Sequence, residues 1–136
     1  MYAVDTCVFV NFLRGRNPHT FGSFLASDPS LFRVPAVVRA ELMRGAEKAR
    51  DPQKERMRVQ LLLAPFEVLP FDGACADQFA VVSAQLEQKG IAIGRMDLLI
   101  AATCLANGAI LVTDNLREFK RVPGLRVEHW EDYENA

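Results

Sequence analysis

The chain has 136 residues, half of them hydrophobic and 24% charged, with a formal net charge of −1; this supports one domain with a sizeable core and excludes a disordered chain. Three cysteines without a CxxC pair, two histidines far apart, no secretory leader and no apolar run of membrane-spanning length exclude a disulfide framework, a zinc site and a membrane protein, and imply a cytoplasmic one. The small net charge hides an asymmetry, with ten Lys/Arg against six Asp/Glu in residues 1–64 and six against eleven in residues 65–136, a balance that suits metal-dependent work on a polyanion.

From the N-terminus, Tyr2-Ala3-Val4 reads as a buried strand ending on Asp5-Thr6. Cys7 to Leu13 continues as an apolar helix with Thr6 as its N-cap, closed by Arg14-Gly15-Arg16-Asn17-Pro18. A short helix is expected from His19 to Ser27, with Phe21, Phe24 and Leu25 on one side, broken by Asp28-Pro29-Ser30. Leu31 to Val34 is the second strand. Pro35 then occupies the first turn of a helix reaching about Arg50, with Val38, Leu42 and Gly45 or Ala46 as the buried stripe and Glu41 at its edge.

Asp51-Pro52 opens a helix through Ala64, whose apolar face is expected to be Met57, Leu61 and Ala64, with Lys54, Arg56 and Arg58 outside. A strand follows over Phe66–Pro70. Cys75, Phe79, Val82 and Leu86 then recur at helical spacing between Gly73 and Lys89, and Gly90 ends that helix. The run from Gly94 to Ala106 is apolar apart from Arg95, Asp97 and Thr103, and reads as a helix buried on nearly all sides with Asp97 at its start. Asn107-Gly108 stops it. Ala109 to Thr113 is a buried strand, Asp114 to Phe119 a turn with one helical turn, Leu125 to Glu128 a last strand, and Trp130 to Tyr133 an acidic tail. Strands and helices alternate throughout, which predicts a three-layer α/β/α sandwich with a mostly parallel central sheet over residues 1–136.

Asp5 and Asp114 follow apolar strands, at the end where α/β sheets place their sites. Each carboxylate also has an ordinary reading: a turn residue for Asp5, an i,i+3 pair with Arg44 for Glu41, and a helix-start residue favoured by the dipole for Asp97. Taken together, Asp5, Glu41, Asp97 and Asp114 suggest a shared acidic pocket. Carboxylates gathered in one place repel one another and take up protons or recruit a divalent cation, and an oxygen-only set selects a hard ion, Mg²⁺ or Mn²⁺. The chemistry this implies is hydrolysis of a phosphodiester. Arg14, Arg16, Arg39, Arg44 and Arg58 offer a basic strip for phosphates, each also readable as solvated helix surface, and no aromatic signature predicts base stacking.

Val4-Asp5-Thr6, Glu41-Leu42-Met43-Arg44-Gly45, Asp97-Leu98-Leu99-Ile100-Ala101-Ala102 and Leu111 to Phe119 resemble, in order, the successive motifs of the PIN domain. The ending from Phe119 to Trp130 is similar to the VapC-type toxins of that family. The resemblance spans essentially the whole chain and implies a PIN-like fold and a Mg²⁺- or Mn²⁺-dependent endoribonuclease. It further implies the toxin of a type II toxin–antitoxin pair, a homodimer inhibited by a cognate antitoxin protein. By position, Asp5 and Asp97 would be the primary metal ligands. Glu41 would complete the site directly or through a water, and Thr6 and Thr113 would supply supporting hydrogen bonds. The fourth acidic position of many relatives falls on Asn115 here, leaving Asp114 or Glu118 to take the role. Cys7 replaces the polar residue usual after the Asp-Thr pair, which is expected to remove a hydrogen bond.

Three rival readings follow different chemistry. A phosphatase with an aspartyl nucleophile wants a second Asp where Cys7 stands, and a receiver domain wants a Lys after a late strand where Val112-Thr113-Asp114 has none. A catalytically silent PIN domain serving as an RNA- or protein-binding module is opposed by the retention of Asp5, Glu41 and Asp97.

Overall fold

The computed structural model describes residues 1–16, 22, 25, 26 and 28–129. Eleven regular elements are described: β1 (Tyr2–Val4), α1 (Thr6–Leu13), β2 (Phe32–Pro35), α2 (Ala36–Glu47), α3 (Pro52–Leu63), β3 (Glu67–Leu69), α4 (Gly73–Gln88), α5 (Arg95–Asn107), β4 (Ile110–Thr113), α6 (Leu116–Phe119) and β5 (Val127–His129). A 3₁₀ turn over Pro29–Leu31 leads into β2. The helix expected from His19 to Ser27 lies largely outside the described residues, although Leu25 is buried, and so does the tail from Trp130 to Tyr133.

The five described strands form one sheet in the order β3-β2-β1-β4-β5, every neighbouring pair parallel. Helices cover both sides of it, giving the α/β/α layering that the alternation of elements predicts. The chain reaches β1 first, builds outward through β2 and β3, then returns to β1's other edge as β4. The order therefore reverses between β1 and β4, and the carboxyl ends of those two strands flank the crevice where such sheets bind ligands. Register fixes what meets there: Val4 lies opposite Val112, and the Asp5 amide donates to the Val112 carbonyl at 2.9 Å.

β1 and β4 are central strands, and Ala3, Val4, Leu111, Val112 and Thr113 are completely buried. α5 closes the core against them with Ile100, Ala101, Ala102 and Cys104 inaccessible, which explains its nearly unbroken apolar sequence. Gly108, at φ 61°, ends α5 in the left-handed conformation, where its amide reaches back to Leu105.

Several local expectations shift. Asp5, not Thr6, caps α1: its carboxylate accepts the Thr6 amide, and Thr6 becomes the first helical residue. Pro35 closes β2 and precedes α2 instead of opening its first turn, and α2 stops at Glu47, three residues before Arg50. Its buried residues are Val37, Val38, Leu42 and Ala46, whereas Gly45 is exposed.

The largest correction concerns α3. Val59 and Leu63 face the core, while Met57 and Leu61 are 57% and 74% exposed. Met57, Val59, Leu61, Leu62 and Leu63 run around that helix, and packing against α2 selects the side that holds Val59 and Leu63. Among the described residues no helix is long and apolar enough to cross a membrane.

Candidate active site

Asp5 stands one residue beyond β1 and is 4% exposed. Its Oδ1 accepts the Thr6 amide at 2.8 Å, and its Oδ2 accepts the Thr113 hydroxyl at 2.7 Å and the Cys7 thiol at 3.2 Å. Thr113 itself accepts the Asn115 amide at 3.0 Å, so its single proton is directed to Asp5. Burial raises the Asp5 carboxyl above the ordinary carboxylate range, hydrogen bonds from Thr113, Cys7 and the Thr6 amide draw it back, and the Glu41 charge adds to the rise.

Thr6 joins two carboxylates. While its amide donates to the Asp5 carboxylate, its hydroxyl donates to Glu41 Oε1 at 2.7 Å across the contact between α1 and α2. This placement comes from Thr6 starting α1, which turns the side chain away from the cap role and toward α2. Glu41 is half-buried and takes this bond from Thr6, with no ion pair to Arg44 among the described residues.

Asp97 enters from the first turn of α5. Gly94 is the cap residue there and makes no side-chain capping bond. The Asp97 carboxyl is pushed up to about 7, first by burial, then by its hydrogen bond with Glu118 and by the charges of Asp5, Glu118 and Glu41. Glu118 behaves oppositely. Burial disfavours its charge, but bonds from Asp97, the Gly94 amide and Asn115, with the Arg121 guanidinium, hold it below the usual range. The two carboxyls thus shift in opposite directions, and Asp97 is the weaker acid of the pair.

These groups open on a cleft of about 570 Å³ lined by Asp5, Thr6, Cys7, Glu41, Asp97 and Asp114, with Val10, Asn11, Arg14 and Asn115 around them. Asp114 is exposed on its rim, accepting from Asn11 Nδ2 at 3.1 Å. Of the arginines expected to meet phosphates, Arg14 lines this cleft; Arg39 and Arg44 do not. Arg58 is occupied, donating to the Leu13 carbonyl and to Glu55.

The donor chemistry fits a hard divalent ion. Asp5, Glu41 and Asp97 offer oxygen only. Burial, followed by the charge of Asp5, lifts the Cys7 thiol far above its ordinary range, so its sulfur stays protonated and is not a thiolate ligand. Among the described residues no three Asp, Glu, His or Cys groups are already drawn together as a ligand set.

Four contributors were not anticipated. Cys7, expected to remove a hydrogen bond, supplies one. Asn11 holds Asp114, and its position four residues after Cys7 on one helix face was a readable signal. The Gly94 amide and Arg121 steady Glu118, which needs the loop before α5 to lie against α6, something no local pattern encodes.

The chain is similar to known proteins over nearly its whole length. The PIN domain model matches residues 2–125. The chain is 32% identical to Ribonuclease VapC2 of Rickettsia felis over 133 residues, covering 96% of this chain and 98% of that protein. It is likewise 32% identical to the tRNA(fMet)-specific endonuclease VapC of Salmonella typhimurium, covering 96% of each. Among solved structures, that of VapBC2 from Rickettsia felis bound to a DNA fragment from their promoter superposes with a TM-score of 0.88 at 31% identity, over 95% of this chain and 98% of that one.

Proposed function

The chain belongs to the PIN domain family, among its VapC-type ribonucleases, and on that premise we propose that it is a Mg²⁺- or Mn²⁺-dependent endoribonuclease. It acts in the cytoplasm as the toxin of a type II toxin–antitoxin pair, as a homodimer inhibited by a cognate antitoxin, with residues 1–136 forming one domain. The observation that carries this reading is the convergence of Asp5, Glu41 and Asp97 on one cleft, close enough that the charges of Asp5 and Glu41 disfavour the ionisation of Asp97.

Asp5, Glu41 and Asp97 would hold the ion, which supplies electrostatic stabilisation of the phosphoryl oxygens and activation of water. The remaining residues prepare that arrangement. Thr113 and the Thr6 amide aim Asp5, and the Thr6 hydroxyl aims Glu41. Glu118 fills the fourth acidic position in this reading, because it faces Asp97 while Asp114 is engaged by Asn11. Asn115 donates to Glu118 and keeps it anionic. Arg14, at the mouth of the cleft, meets a phosphate of the RNA strand.

The test is cleavage of RNA by the purified chain with Mg²⁺ or Mn²⁺, with chelator, and by Asp97→Ala. Cleavage is expected to require the ion and to fall by about two to three orders of magnitude in the variant, the usual cost of removing one preorganised electrostatic group. A wild-type chain that cuts no RNA and binds no divalent ion would return the fold to a binding role.

A further inference from the structure

We propose that the Cys7 thiol is a positioning residue that restricts Asp5 to holding its ion through a single oxygen, Oδ1. The inference rests on the reading of Asp5 as a metal ligand and adds how that ligand is constrained.

Each carboxylate oxygen accepts about two hydrogen bonds or ligand bonds. Oδ2 already receives the Thr113 hydroxyl at 2.7 Å and the Cys7 sulfur at 3.2 Å, whereas Oδ1 receives only the Thr6 amide at 2.8 Å. The Cys7 sulfur also lies 3.6 Å from the Thr113 oxygen. The thiol has one proton to give, and the nearer acceptor is Asp5. With both sites of Oδ2 taken, the open acceptor site of Asp5 is on Oδ1. Removing the thiol proton donor would free one site on Oδ2 and leave the carboxylate able to rotate or to present two oxygens.

Cys7 is suited to this role by its place in the second helical position of α1, two residues after Asp5, where its side chain lines the cleft beside Thr113. A hydroxyl could make the same bond; an aliphatic side chain of the same volume could not. Groups of this kind, which orient a ligand without touching the ion, typically change metal affinity when lost.

The experiment measures Mn²⁺ binding by calorimetry in the wild-type chain, Cys7→Val and Cys7→Ser, alongside melting of the metal-free proteins and kcat and KM for RNA. Cys7→Val is larger by about one methyl and loses the donor, and is expected to weaken the Mn²⁺ Kd by about tenfold. At saturating Mn²⁺ its kcat falls while KM for RNA holds. Cys7→Ser keeps a donor in a smaller volume and is expected to bind Mn²⁺ within about twofold of wild type, even if it melts lower. The reverse order, with Val tight and Ser weak, would make Cys7 a packing residue and overturn the proposal, as would two variants indistinguishable from wild type. A wild-type chain that binds no Mn²⁺ would overturn the nuclease reading together with this one.

Discussion

In the metal-free protein the proton on Asp97 is held by burial, by Glu118 and by the charges of Asp5 and Glu41. The folded carboxyl titrates near 7, whereas an unfolded aspartate titrates near 3.8. The folded state therefore binds this proton more tightly. The resulting stability is complete below about pH 4 and is lost as pH rises toward about 7. Asp97→Asn, which cannot ionise, should melt with wild type near pH 4 in chelator but higher than wild type at pH 8. Roughly 4 °C is expected for each 1 kcal/mol of relieved repulsion. Thermal melts across that range check it. At this scale Asp5, Glu41, Asp97 and Thr113 were legible, because their residue types stand where strands end and helices begin. That Asn11 holds Asp114 while Asp97 meets Glu118 was not legible, since both contacts join separate elements.

The helices α2 and α3 show how an amphipathic pattern is decided. On α2 a single apolar row exists, and Val38, Leu42 and Ala46 bury as their spacing requires. On α3 the apolar residues run around the helix, so periodicity alone does not choose a side. Packing against α2 buries Val59 and Leu63 and leaves Met57 and Leu61 outside. The two sets should respond differently to substitution in the isolated chain. Leu63→Ala is expected to cost about 2–5 kcal/mol in urea denaturation, as a deleted core side chain does. Leu61→Lys should stay within about 0.5 kcal/mol of wild type, as an exposed position does.

Across the whole molecule, the proposed ligands join distant parts of the chain: Asp5 from the end of β1, Glu41 from α2 and Asp97 from α5. An ion bound there has no equivalent site in the unfolded chain, so it stabilises the fold by mass action. Mn²⁺ at a hundred times its Kd should add about 2.7 kcal/mol, or roughly 10 °C in melting temperature. Asp5→Asn should remove most of that gain. Mg²⁺ is expected to act in the same direction, with chelator reversing both, and scanning calorimetry reads all three. The charge asymmetry along the chain does not segregate into two faces at the site, because Asp5 and Glu41 come from the basic half and Asp97 and Glu118 from the acidic one.

The residue pattern by itself determined the alternation of strands and helices, the burial of α5 and β4, and the identity of the acidic residues. Each of these follows from local physics: apolar runs must leave water, and a carboxylate at the edge of such a run must find compensation. Only the tertiary structure decided the strand order that sets β1 beside β4 and brings Thr113 onto Asp5. It alone decided which face of α3 is buried, that Thr6 binds Glu41 instead of capping α1, and that Cys7 donates to Asp5. Those outcomes turn on contacts 35 positions apart for Thr6 and Glu41 and 108 apart for Asp5 and Thr113, on how α3 packs against α2, or on the few tenths of an ångström that direct one proton, and none of these is carried by spacing along the chain.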